Sequence, residues 1–414
     1  MSFNPTNLGT RLREARENRE LSQQAVGEAL GLPRTAITQI ESGNRAISTF
    51  ELSRLADLYR RPVVDFFGDS ALEEEELLVA LHRLAPGIEA RGEIKDQVER
   101  CLNLCREGCE LERLLGRAVR SGPPAYVLAA PRTASEAVRQ GEQVAQQERK
   151  RLGLGATPIA DMSELIADQG IWASGVHLPD EMSGLFLRHA SIGMAILVNY
   201  THVRARKRFS YAHEYAHALL DRERTATVST RENAAELIEK RANALAAAFL
   251  MPSEGVVDFI RGLDKGLPSR HEQTIFDVAT EGRIDTQSRP APGSQSITHQ
   301  DTALLAHHFG VSYQAAVYRL RSLSLVSPAE CTKLLEHEAN GKGFLDFLRM
   351  LDDLEQPESR DRQDRELKAQ IVQLAIETYR REEISRGRLL DLSERLGVSG
   401  AKLIELAEAV KEIY

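Results

Sequence analysis

The sequence predicts a mainly α-helical chain with a small β-sheet. Three observations predict it. Residues 8–67 read as short, capped helices with apolar faces. Ala195-Ile196-Leu197-Val198-Asn199 is a short apolar run rich in branched residues, the pattern of a buried strand. Most of the chain beyond Asn199 has helical spacing. The expected order is an N-terminal all-α helix-turn-helix domain, a helical connector, an α+β domain and a C-terminal helical module. A chain of 414 residues is long enough for several domains. The expected boundaries are 1–69, 70–122, 130–325 and 326–414.

In the first segment, Leu21 to Gly31 reads as a capped helix and its turn. Ser22 supplies the N-cap and Gly31 the positive φ of a tight turn. Pro33 stands near the first turn of the next helix, where its missing N–H does no harm. That helix, Arg34 to Ile40, turns Ala36, Ile37 and Ile40 inward and Arg34, Thr35, Thr38 and Gln39 outward. Ser48 and Glu51 form a capping box for a further helix, with Phe50, Leu52, Leu55, Ala56 and Leu58 as core. Residues 8–67 resemble the XRE (Cro/repressor-like) DNA-binding domains. The resemblance implies that the second helix enters the major groove of double-stranded operator DNA. Arg34 can then bond guanine and Gln39 adenine, while Thr35 and Thr38 meet bases or a thymine methyl. Gln23 and Asn44 are candidates for phosphate contacts. Nine Arg and eight acidic residues leave 1–68 almost neutral on a chain of net charge −8. Such a module binds DNA weakly alone, so a homodimer on a two-fold operator is expected.

The connector begins with the acid run Glu73–Glu76, read as a solvated helix start. From Gly92 to Val119, Ile94, Val98, Cys101, Cys105, Gly108, Leu111 and Leu115 follow three- and four-residue steps. That spacing is a short coiled-coil seam, a candidate dimerisation helix. Cys101, Cys105 and Cys109 match no standard zinc or cluster spacing. They read as small apolar residues on a buried face, with a thiol sensor or metal site as the alternative. Ser121-Gly122-Pro123-Pro124 breaks the helix.

After the apolar strand and a basic stretch, Arg204 to Arg208, comes His213-Glu214-Tyr215-Ala216-His217. On a helix, residues four apart lie on one face, so His213 and His217 can address one metal ion. Glu214 can reach a water on that ion and take its proton. Two His ligands, a third protein ligand, an open position and a carboxylate base make the zinc peptidase arrangement. The edge of the preceding strand is expected to hold an extended peptide. A second helix, Glu232 to Met251, is rich in alanine and can approach the first closely. Glu232, Glu236, Glu239 and Asn243 share one of its faces, and spacing alone does not choose the third ligand among the glutamates. Glu232 reads as a solvated charge. His177, His189 and His202 are rivals in irregular or strand-like surroundings.

Strand, basic entry, H-E-x-x-H helix, Glu239-Lys240-Arg241-Ala242-Asn243 and an Ala-rich run to Leu250-Met251-Pro252 together resemble the ImmA/IrrE metallopeptidases. The resemblance covers roughly 130–325 and implies a zincin-like domain. It makes His213, His217 and Glu239 the metal ligands and Glu214 the catalytic base. The aromatic residue usual three positions after Asn243 is Ala246 here, with Phe249 a turn later. Zinc is the expected ion, and manganese also suits a two-His, one-carboxylate set.

Downstream, Ser288 to Ser294 has linker composition. Thr298 to Leu325 is a second helix-turn-helix-like pattern, read as part of the peptidase domain, with His307 and His308 as surface residues. Gln356 to Arg365 is highly charged. Glu366 to Tyr414 forms a last helical module. Apolar content of 42% and charged content of 28% describe a globular chain. No apolar run approaches a membrane span, no signal-peptide pattern opens the chain, and four cysteines give no disulfide framework. A cytoplasmic location, bacterial from the resemblance, is expected. The functional expectation is a DNA-binding regulator with a zinc endopeptidase that cleaves a repressor-like protein in a stress or phage-related response, either by self-cleavage in the connector or in trans, with trans preferred because the connector shows no obvious cleavage site. The alternative is a non-proteolytic regulator whose peptidase-like domain senses a metal or ligand.

Overall fold

The computed structural model describes residues 5–19, 21–61, 63–66, 91–118, 120–189, 191–224, 226–230, 233–265, 271–277, 282–288, 294–355 and 364–409. Glu73–Glu76, Glu232, linker residues 289–293 and residues 356–363 of the charged stretch lie outside them. Among the described residues there are seventeen α-helices, a four-stranded sheet and a two-stranded sheet. The chain divides into two units. One comprises 1–120, 187–193 and 370–414; the other comprises 121–186 and 194–369.

The first unit opens with α1 (Pro5–Asn18), α2 (Gln23–Leu30), α3 (Arg34–Glu41) and α4 (Thr49–Tyr59). Local chemistry sets their ends. The Ser22 side chain accepts from the Ala25 amide, Gly31 closes α2 at φ 73°, and Ser48 and Glu51 form the expected capping box on α4. Leu8, Leu12, Val26, Ile37, Leu52, Leu55 and Tyr59 make the small core. Phe50 is not part of it. It stands 71% exposed at the start of α4, with Arg54 over its ring. Position 50 precedes the inward-facing Leu52 and Leu55, so it points the other way around the helix. Arg16 holds Glu41 through two bonds, of 2.6 and 3.0 Å, and ties α1 to α3.

In the same unit α5 (Arg91–Leu114) carries the apolar stripe. Ile94, Val98, Cys101, Cys105, Leu111 and Leu115 are buried within the single chain. The stripe therefore packs against residues of its own chain. Its polar residues explain the cover. Asp96 and Glu99 take Arg19, Asn103 donates to the Arg60 carbonyl, and Glu107 takes Arg388 and Arg395. The C-terminal helices Arg386–Leu396 and Gly400–Ala409 add Leu389, Leu392, Leu396 and Leu403 as buried residues.

The second unit holds α6 (Ala134–Arg151), α7 (Met162–Asp168) and the sheet strands β1 (Ile171–Val176), β2 (Met182–His189), β3 (Gly193–Asn199) and β4 (Ala226–Thr230), apart from residues 187–189 of β2 and Gly193 of β3. α8 (Arg204–Leu220) lies between β3 and β4 in the chain, and α9 (Leu237–Leu250) and α10 (Ser253–Gly262) come after them. The strand order is β1-β3-β2-β4, with β1 and β3 parallel from Ile171↔Met194 to Val176↔Asn199. β3 is the apolar run seen in the sequence. It is an interior strand, paired on both sides, so it offers no edge to a peptide; β4 is at the edge. α9 begins at Leu237, later than expected, and Glu236 is its exposed N-cap residue. Its small residues serve α6 as well as α8: a Cβ on Gly141 of α6 would come within 2.5 Å of the Arg241 carbonyl. An antiparallel pair, β5 (His271–Asp277) and β6 (Gly282–Ser288), adds strands that the sequence pattern does not announce. α11 (His299–Phe309) and α12 (Tyr313–Ser322) are the second helix-turn-helix-like pair. Their Leu305, Phe309, Ala316 and Leu320 join the same core as α8 and α9. α13 (Pro328–Glu336) and α14 (Glu338–Glu355) follow, and a further helix, Arg365–Arg380, begins in this unit and continues into residues of the other. No single described helix is long and apolar enough to cross a membrane.

Candidate metal centre and nucleic-acid interface

α8 and α9 bring three of the predicted residues to one point. His213 Nε2 lies 3.0 Å from Glu239 Oε2 and 3.2 Å from His217 Nε2, and His217 Nε2 lies 3.6 Å from Glu239 Oε1. Donors about 2.05 Å from a tetrahedral ion stand about 3.3 Å apart, so these separations fit one zinc-sized ion. All three residues are buried, and they are the one His/Cys/Asp/Glu group of this kind among the described residues. His177, His189 and His202 are elsewhere: His177 faces the Tyr200 ring, His189 Nδ1 lies 2.8 Å from Ser191 Oγ, and His202 sits beside Asn199.

The opposite ring nitrogens are held. His213 Nδ1 donates to Asn243 Oδ1 at 3.0 Å, and His217 Nδ1 donates to Asp221 Oδ2 at 2.9 Å. With Nδ1–H committed, Nε2 is the nitrogen each ring turns toward Glu239 and would offer to an ion on losing its proton, the usual outer arrangement of metal-binding histidines. Arg241 in turn donates to Asp221 Oδ1 at 2.5 Å. Asp221 and Arg241 were not singled out in the sequence. Asp221 stands one helical turn after His217, so the i, i+4 rule that pairs the histidines would have found it. Arg241 lies inside the second motif, between Glu239 and Asn243.

Burial pushes the Glu239 carboxyl up, but hydrogen bonds to His213 and His217 outweigh it and hold it at about 2. Burial lowers His217, but its bonds to Asp221 and Glu239 overcome this and lift it to about 10. The pocket is thus poised to hold cationic charge among carboxylates.

Glu214 is fully buried, and burial pushes its carboxyl up despite the two histidines. Neither of its oxygens makes a full hydrogen bond by geometry among the described residues, and the Ser229 side chain is the polar group that acts on it most directly. Gly184 on β2 makes room for it: a Cβ there would be 3.0 Å from Glu214 Cγ and Oε1. A buried carboxylate so weakly partnered is expensive to keep. Behind the helix, Glu148 of α6 accepts from the Tyr215 hydroxyl, from Tyr126 at 2.9 Å and from Arg151 at 2.6 Å. This network fixes the rear of the pentad.

On α3, Arg34, Thr35, Thr38 and Gln39 are exposed, while Ala36, Ile37 and Ile40 are buried. Gln23 has both ends of its amide engaged within the domain: Nε2 donates to Glu41 at 2.9 Å, and Oε1 accepts from Thr38 at 3.1 Å. Asn44 donates to Ser42 at 3.0 Å.

Residues 7–66 match the family described as a helix-turn-helix domain. Residues 169–265, which contain His213, Glu214, His217 and Glu239, match the peptidase family described as the IrrE N-terminal-like domain. This chain joins a helix-turn-helix domain to an IrrE N-terminal-like domain. No curated protein matches it. Among solved structures it is similar to the crystal structure of Bacillus thuringiensis PlcR in complex with the peptide PapR7 and DNA. The identity is 12% and the TM-score 0.16, over 99% of this chain and 98% of that one. A likeness that low carries no argument about this protein. The IrrE N-terminal-like match spans β1 to α10 and so includes both helices of the candidate metal site. α6, with Glu148 and Gly141, lies outside it.

Proposed function

We propose that this protein is a DNA-binding transcriptional regulator carrying a zinc-dependent endopeptidase, which cleaves a repressor-like regulatory protein in a cytoplasmic stress or phage-related response. The convergence of His213, His217 and Glu239 next to the fully buried Glu214 carries this reading. The donor set suits zinc, and manganese by its carboxylate. When bound there, zinc would supply Lewis-acid chemistry, polarising the scissile carbonyl and lowering the pKa of water.

The chain's own residues do the rest. His213 and His217 present Nε2, held in place through Nδ1 by Asn243 and Asp221. Glu214 takes a proton at its carboxylate and gives it to the leaving amine nitrogen. Its raised pKa makes it a better base for that proton than an ordinary carboxylate. At the other end of the chain, Arg34, Thr35, Thr38 and Gln39 are the groups offered to base edges in the major groove. Gln23 and Asn44 belong to the same surface as candidate phosphate contacts.

Incubation of the zinc-loaded protein with helix-turn-helix repressors tests the reading, with Glu214→Gln as control. Cleavage by the native protein that falls by about 10²–10⁴-fold in the variant supports it. Equal loss of repressor with both proteins, or with neither, rejects proteolysis and leaves a regulator that senses a metal or ligand through the same residues.

A further inference from the structure

The second unit contains a cavity of about 560 Å³ remote from the metal centre. It lies at the C-terminal end of α9, eleven residues or about 17 Å along the helix from Glu239. Its lining includes Arg139, Arg149 and Lys150 of α6, Ser253 at the start of α10, and Arg319 of α12. Glu142 and Glu254 are the carboxylates there, so cations outnumber them four to two on a chain of net charge −8.

Two buried arginines form the floor. Arg319 is 5% exposed; its Nε donates to the Met251 carbonyl and its Nη1 to Glu142, while Nη2 has no hydrogen-bond partner among the described residues. Arg149 is 4% exposed and donates only to the carbonyls of residues 154, 155, 157 and 249, with no carboxylate beside it. A buried cation without an anion raises the potential of the space it borders. The start of α10 adds to this. Pro252 is its N-cap residue and gives no side-chain cap, and the amides of Ser253, Glu254 and Gly255 have no backbone acceptor among the described residues. Unmet amides at a helix start favour an anion.

We propose that this cavity binds a phosphorylated small metabolite, its phosphoryl group set against Arg319 Nη2 and the Ser253 amide and hydroxyl, with the side chains of Arg139 and Lys150 supplying positive charge along the α6 wall. The volume exceeds what inorganic phosphate alone would fill, which leaves room for an organic body. The site is separate from the proposed proteolysis and stands or falls without it.

The full-length protein is titrated at constant ionic strength with inorganic phosphate, adenosine 5′-monophosphate and citrate, by calorimetry and by melting temperature. Saturable binding of both phosphorus-bearing probes is expected, with adenosine 5′-monophosphate the tighter. Arg139→Glu combined with Lys150→Glu, both exposed, should weaken it at least tenfold while zinc affinity at His213, His217 and Glu239 stays unchanged. Ser253→Asp puts a carboxylate in the first turn of α10, where it suits the helix end and repels a phosphate; it should hold or raise the melting temperature of the free protein and remove the shift caused by phosphate. Binding of citrate alone, no saturable binding, or equal affinity in the charge-reversed variant would overturn the proposal.

Discussion

Asp221 shows how much of the metal centre lies outside its ligands. It is not a ligand, yet it fixes the His217 ring and takes Arg241 from the neighbouring helix. Asp221→Ala should weaken zinc binding by about 10–100-fold, the usual effect of losing such a partner. Competition with a chromogenic chelator measures this without any substrate, and unchanged affinity would deny Asp221 that role. Arg34 offers the matching test on DNA. Arg34→Ala should cost about 1–3 kcal/mol and relax specificity at one base pair. Operator titrations with single-base changes would show it, and an unaltered profile would move the reading surface away from α3.

At the scale of elements, the Arg16–Glu41 pair sets α3 against α1. Glu41→Ala leaves the buried Arg16 without its anion and should destabilise the helix-turn-helix domain by about 3–5 kcal/mol. Urea melts followed by circular dichroism read this directly. The four helices were legible in the sequence because their caps are local: Ser22, Gly31, Ser48 and Glu51 act within four residues. Phe50 was misread because a run of apolar residues does not say which of them lies off the buried face. The pentad and Glu239 were legible by spacing and resemblance. Their setting was not. Strand order is decided by pairing between distant residues, so nothing in Ala195–Asn199 tells an interior strand from an edge. β5 and β6, with Glu272, Gln273, Arg283 and Gln287, have no apolar alternation to announce them. The α5 stripe was visible, but the residues that cover it, such as Arg388 and Arg395, lie hundreds of positions away.

Two predictions belong to the whole molecule. Glu148 is buried, which raises its carboxyl, but Arg151, Tyr215 and Tyr126 win and hold it below the ordinary value. Its stabilising effect is therefore full above the unfolded carboxyl pKa of about 4.3 and is lost as pH falls through the lower folded value. Thermal melts from pH 6 to pH 3 should steepen below about pH 4.5, and Glu148→Gln should remove that part of the slope. The C-terminal segment belongs with the DNA-binding unit rather than with the residues that precede it in the chain. Deleting 370–414 removes the partners of Glu107 and Arg117 on and beside α5. It should lower the melting temperature of the helix-turn-helix unit while leaving zinc affinity intact. A truncated chain with native operator binding and stability would show that this segment is dispensable there.

The carboxylate one turn beyond the pentad has a consequence for lineage. A motif search sees only H-E-x-x-H and would count a chain as intact after position 221 had drifted. Pairing at 221 and 241 instead gives a ledger of descent: lineages that still hold metal should change the two positions together, while those retired from metal binding should lose them one at a time. A chain with the pentad intact but Asp221 or Arg241 replaced singly is therefore expected to hold metal weakly.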